Sequence, residues 1–205
     1  MISRLIKSSL AIFVLIAITL TLTSCGPKAF TKGDYDENVE KENTLNDQWS
    51  ETDMQKAVHD LVGNLVGHRA IAAAPRPPVI MVTKLENKTS EHIDTQSVMD
   101  MVRVELTNSG RVAFVDKEAR DDVSTELEYQ DSGMVDAASQ KKKGGQIGAD
   151  YIINGRLDSI VQEIGKDKTV YYKVTLNLTN LRTNLIEWTN QKQLRKSFKK
   201  RRIGL

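Results

Sequence analysis

Of the 205 residues, one is cysteine, four are proline and three are histidine. A lone Cys25 excludes an intramolecular disulfide and any zinc-finger or iron–sulfur ligand set. Few prolines, twelve glycines and no repeat exclude collagen-like and low-complexity chains. The chain has one continuously apolar run, at its extreme N-terminus, which excludes a polytopic membrane protein. A net charge of +2 is too small to imply nucleic acid by itself. What is present, 40% hydrophobic and 27% charged residues with a mean hydropathy of −0.39, is the composition of a soluble domain with enough chain to bury a core.

Groups able to do chemistry are scarce as well. His59 lies off the apolar stripe of the first predicted helix, His68 at its end and His92 in a polar loop, and no two share the i, i+4 spacing of a helical metal site. Asp121 and Asp122 are sequence neighbours, so they point to different sides of a helix and form no acid/base pair. Gly144-Gly145-Gln146-Ile147-Gly148 closes a predicted helix instead of following a strand, which argues against a phosphate cradle. The reading is of a protein that is not an enzyme and needs no metal or cofactor; binding remains.

The N-terminus reads as an address. Arg4 and Lys7 precede the apolar run Leu10–Leu22, and Thr23-Ser24-Cys25-Gly26 follows. A positive start, a short apolar stretch and small residues make a secretory signal peptide over 1–24; the run falls short of the ~20 residues a spanning helix needs. The ending L-T-S-C-G resembles the bacterial lipobox, in which cleavage leaves a cysteine carrying a diacylglycerol thioether and an N-acyl chain. That resemblance implies a lipid on Cys25, an attachment several acyl chains make durable. Gly26 in place of an aspartate implies sorting to the outer membrane, facing the periplasm, and secretion argues against a nucleic-acid partner.

Removing Arg4 and Lys7 from the 29 basic residues leaves 27 against 27 acidic ones, unevenly spread. Acids crowd Asp34–Asp60, while Gln191–Leu205 holds Lys192, Arg195, Lys196, Lys199, Lys200, Arg201 and Arg202 without an acid. That end reads either as a solvated tail over 195–205 or as a dock for an acidic partner or anionic headgroups. Residues 25–48 show no periodicity and read as a lipidated disordered tether, ~80 Å long at full stretch and ~27 Å as a coil.

The folded part is expected over 49–194. Met54, Val58, Leu61, Val62, Leu65 and Val66 recur at helical spacing and predict a helix over 51–68. Val79–Leu85 reads as a buried strand, and 94–108 as a second helix with Val98, Met101, Val102, Val104 and Leu106 toward the core. Val112–Val115 is a short strand, and a third helical stretch opens at Asp116 or its neighbours and runs through Leu127. A polar helix from Asp136, carrying Lys141, Lys142 and Lys143, is expected to close between Gly144 and Gly148; its lysines read either as a solvated face or as partner contacts. Residues 151–164, 169–181 and 185–194 read as long strands, the middle one alternating Val170, Tyr172, Val174, Leu176 and Leu178 against polar residues. The order predicts one small α+β domain, a parallel β-α-β start and an antiparallel finish on a mixed sheet with flanking helices.

Several segments, taken in order, resemble the penicillin-binding-protein activator (LpoB) family: Leu45–Asp53, Pro78–Ile93, Leu106–Val115, Ile147–Gly155 and Leu181–Trp188, together with the lipobox. The resemblance implies a domain similar to the N-terminal domain of TolB, held at the outer membrane through Cys25, that binds a class A penicillin-binding protein and stimulates peptidoglycan synthesis. A non-enzymatic adaptor of another envelope assembly, secretory or flagellar, is the alternative, since function follows the binding site and not the fold. A cell-wall hydrolase comes third, for want of a catalytic constellation.

Overall fold

The computed structural model describes residues 38, 41, 42 and 46–200. The signal peptide, Cys25, most of the expected tether, and Arg201 and Arg202 lie outside the described residues. The elements are α1 (Glu51–Gly67), a short α2 (Arg69–Ala72), β1 (Val79–Lys88), α3 (Thr95–Asn108), β2 (Ala113–Phe114), α4 (Arg120–Tyr129), β3 (Tyr151–Ile164), β4 (Asp167–Asn180) and β5 (Ile186–Lys199). The strands form one sheet in the order β2-β1-β3-β4-β5, with β1 parallel to both its neighbours and β3-β4-β5 antiparallel. The fold is α+β, with helices α1 and α3 against one face of a mixed sheet.

Helix α1 starts where the sequence places it because Ser50 and Asp53 form a reciprocal cap. The Asp53 carboxylate accepts from the Ser50 N–H at 2.9 Å, and the Ser50 hydroxyl oxygen accepts from the Asp53 N–H at 3.4 Å. A cap of this kind stabilises a helix by about 1 kcal/mol. Ala57, Val58, Leu61, Val62 and Leu65 then form the buried stripe. Helix α3 is capped by Asp94, whose carboxylate accepts from Gln96 and Ser97. It buries Val98, Met99, Val102 and Leu106, whereas Val104, expected inside, is 53% exposed and Met101 lies only partly buried. Six residues beyond Val98, Val104 falls about 240° around the helix. Met99 takes the place expected of it.

On the sheet, Val170, Tyr172, Val174, Leu176 and Leu178 point to the helices, as alternation predicts. Trp188 joins them and donates its indole N–H to the Asn64 side chain at 2.8 Å, tying β5 to α1. Gly155 sits where β1 bulges between Val82 and Leu85. A Cβ there would lie 2.2 Å from the Thr175 carbonyl oxygen, so no side chain fits. Gly165 at φ 59° and Lys166 make a two-residue hairpin turn, so β4 begins at Asp167, ahead of the expected Thr169.

Three expectations are corrected. Helix α4 begins at Arg120 and not at Asp116, because the Asp116 carboxylate accepts from the N–H groups of Glu118 and Ala119 and closes a turn of its own. No helix runs from Asp136. One turn forms, with Ser139 and Gln140 donating to the Asp136 carbonyl; then the Lys141 N–H donates to the Gln130 side chain, and Gly144 takes φ 89°. With no apolar stripe to bury, a lysine-rich segment has nothing to hold it helical. Finally, β5 does not stop at Leu194: it pairs with β4 through Lys199, opposite Asp167, and the Lys200 N–H still reaches the Lys166 carbonyl. Arg195, Lys196 and Lys199 are strand residues, not a tail.

Candidate functional site

Because β5 continues, its basic residues alternate between the two faces of the sheet. Lys196 points to the helix side, where it is 8% exposed. Its Nζ lies 2.5 Å from the Asp53 carboxylate, 2.6 Å from the Gln48 carbonyl oxygen and 5.7 Å from the centre of the Tyr172 ring. Asp53 is equally buried, so the ion pair is satisfied on all sides: cap on one, ammonium on the other.

Around this pair the chain entering α1 is clasped to the sheet. Trp49 packs edge-on against Tyr172, ring centroids 5.3 Å apart. Glu91, in the loop after β1, accepts from the Trp49 N–H at 2.9 Å and from the Tyr172 hydroxyl. Burial, and then the Glu91 carboxylate, push the Tyr172 hydroxyl far above the ordinary tyrosine range. Asp47 pairs with Lys168, whose hydrogen bond holds the Asp47 carboxyl below its usual value. Asp47 and Gln48, expected in the tether, are thus fastened to β4 and β5. With Tyr172 donating and Glu91 accepting, the cluster holds the chain entering α1 against the sheet.

The opposite face of the sheet carries no core. Register places Lys88 beside Asp158, Glu86 beside Arg156, Arg195 beside Tyr171 and Lys199 beside Asp167 on that face. Asp158 pairs with Arg156 at 3.0 Å and Lys173 at 3.4 Å. A shallow hollow of about 350 Å³ opens there between Lys84, Asn154, Arg156, Thr175 and Asn177. Basic Lys84, Lys88, Arg156, Lys173, Arg195 and Lys199 outnumber Glu86, Asp158 and Asp167 on this surface. No composition or run-of-charge signal finds it; only the period-2 reading of β3, β4 and β5 together does.

Of the basic residues singled out by sequence, Arg195 and Lys199 lie on this face, Lys196 is withdrawn to the other, and Lys200 pairs with Glu163 at 3.2 Å. Lys200 and then Lys168 hold the Glu163 carboxyl below its usual range. Lys141, Lys142 and Lys143 stand apart. Lys141 and Lys142 rim a mostly apolar hollow of about 780 Å³ against Val123 and Leu127 of α4, and Lys143 pairs with Asp131 at 3.5 Å. The histidines take small structural parts: His68 caps α2 by accepting from the Ala70 N–H, and His59 lies exposed, 4.0 Å from Glu105. Among the described residues no cluster of His, Cys, Asp and Glu could hold a metal ion, and no helix is long and apolar enough to cross a membrane.

A comparison with curated proteins finds no match to this sequence. Among solved structures the chain is similar to the LpoB C-terminal domain from Salmonella enterica, at 14% identity over 69% of this chain and 98% of that one, with a TM-score of 0.45. The C-terminal domain of LpoB from Escherichia coli matches at 14% identity over the same shares, with a TM-score of 0.44. A lipoprotein from Neisseria meningitidis matches at 15% identity over 59% of this chain and 84% of that one, with a TM-score of 0.39. The family model of the peptidoglycan-synthase activator LpoB matches residues 51–194, from the first residue of α1 into the second half of β5. The chain therefore belongs to the LpoB family of peptidoglycan-synthase activators.

Proposed function

We propose that this protein is a lipid-anchored activator of a class A penicillin-binding protein, acting by contact and not by catalysis. The observation that carries the reading is the family match across residues 51–194, nearly the whole described fold. Cys25 serves as the anchor, with its acyl chains in the outer membrane and the domain in the periplasm. No resident cofactor is needed, because activation requires only that the protein bind the active conformer of the synthase better than the inactive one.

The surface best suited to that contact is the open sheet face. It is rigid, it stands on three long paired strands, and its excess of positive charge fits an acidic surface on the partner. The clasp on the other side supports this arrangement. It holds Asp47, Gln48 and Trp49 on the helix-covered side, away from the open face.

Crosslinking in intact cells, followed by affinity purification of the lipidated protein and mass spectrometry, tests the reading. Recovery of a class A penicillin-binding protein is the expected result. Recovery of a secretion or motility complex without a synthase would overturn it.

A further inference from the structure

Strand β3 outruns its neighbour. β1 pairs with it only as far as Lys88 opposite Asp158, while β3 and β4 stay paired to Ile164 opposite Asp167. Residues 159–164 thus present about 20 Å of strand edge with no strand partner among the described residues. Three large apolar side chains crowd it: Ile160 is 57% exposed, Val161 47% and Ile164 81%.

Beyond Ile80 the β2 side of β1 also lacks a strand partner among the described residues, but it carries Lys84, Glu86 and Lys88. β2 is two residues long, and β5 carries Lys192, Arg195 and Lys199 along its length. Short strands and lysines are the usual devices against edge-to-edge pairing. The β3 overhang has neither, and its one charge, Glu163, is already engaged by Lys168 and Lys200.

We infer that this edge is a homodimerisation site, where residues 159–164 pair antiparallel with the same residues of a second copy. The sequence is self-complementary in one register. With Gln162 on the two-fold axis, Ile160 of each copy lies across from Ile164 of the other, on the same face of the joined sheet. The pairing buries four isoleucines in two cross-strand pairs and satisfies the free main-chain groups of both edges. A one-residue slip sets Ile160 opposite Glu163 and loses both pairs.

A two-fold axis perpendicular to the sheet keeps the helix-covered faces of both copies on one side. Residues 47–49 of both copies therefore lie on the same side, as two chains held by one membrane require; to that extent the inference rests on the anchor proposed above. The charged face of the joined sheet stays open.

Disulfide trapping of the full chain in the cells that produce it tests the pairing. Gln162→Cys chains are expected to link to one another, since residues directly opposed across antiparallel strands sit within disulfide reach. The unsubstituted chain, with Cys25 as its one cysteine, sets the background. Adding Ile164→Lys is expected to lower the linked fraction about tenfold. A register test keeps the result readable if that variant accumulates poorly: Ile160→Cys chains should link to Ile164→Cys chains and not to themselves. Gln162→Cys chains that stay single would overturn the inference, whether a maleimide labels them or a covering segment protects them. Linkage mainly to a different protein would overturn it too. The trap reads the edge alone, so its failure leaves the activator reading standing, and loss of synthase binding leaves the edge standing.

Discussion

The Nζ of Lys196 on β5 lies 2.5 Å from the carboxylate of Asp53 in the first turn of α1, with both side chains almost wholly out of solvent. One residue of the pair begins the folded chain and the other lies near its end, so the contact closes the domain. Truncation at Lys196 is expected to cost about 3–5 kcal/mol, because it leaves the Asp53 carboxylate buried beside only its cap. In urea unfolding, Lys196→Ala should be the more damaging change. Lys196→Met combined with Asp53→Asn should cost less than the sum of its parts, by about 1–3 kcal/mol.

Tyr172 predicts the alkaline limit of stability. Its folded value is raised above the ordinary ~10 of an unfolded tyrosine, so its contribution is fully present below ~10 and is lost as pH rises through the folded value. Tyrosinate absorbance should rise in stages, the last coinciding with loss of the helical circular dichroism signal. In Tyr172→Phe, stability should change less above pH ~10. At neutral pH that variant should be about 1–3 kcal/mol less stable, because the Glu91 carboxylate loses a buried donor.

Gly155→Ala tests the close approach of β3 to β4 opposite the β1 bulge. The added methyl would meet a main-chain oxygen, the Thr175 carbonyl, and not a mobile side-chain tip. Relief requires the paired strands to part, so a loss of about 3 kcal/mol is expected, the upper end for overpacking. Gly63→Ala in α1, where nothing lies within 4 Å, should be neutral or stabilising, by up to about 1 kcal/mol. Thermal unfolding of the two variants side by side checks the contrast.

Charge reversal on the open sheet face separates docking from folding. Arg156→Glu and Arg195→Glu alter exposed side chains and should change stability by under about 1 kcal/mol each. Both should weaken capture of the synthase and flatten its dependence on salt. Lys141→Glu, beside α4, should leave capture unchanged.

The sequence shows clearly those parts of the fold whose signals are local. The stripe Val58-Leu61-Val62-Leu65 marks α1, the alternation from Val170 to Leu178 marks β4, and Ser50 with Asp53 marks a cap. The end of β5 is harder to see because Arg195, Lys196 and Lys199 look like a tail. The alternating Leu194, Lys196 and Phe198 continue the inward face, but a lysine there makes sense only once Asp53 and the Gln48 carbonyl are known to receive it. The residues around Lys141–Lys143 mislead in the opposite way: lysine favours helix locally, yet no apolar face is there to be buried. The clasp joins Glu91, Trp49 and Tyr172 from three distant segments, and no spacing rule connects them.

Activation of a synthase is read out by glycan polymerisation. Chain formation by the class A penicillin-binding protein of the same cells would be followed with and without residues 26–205. A several-fold faster rate is expected, saturating with added protein and lost when Arg156 and Arg195 are both changed to glutamate. An unchanged rate, with protein present in excess and binding to the synthase demonstrated in the same tube, would contradict activation.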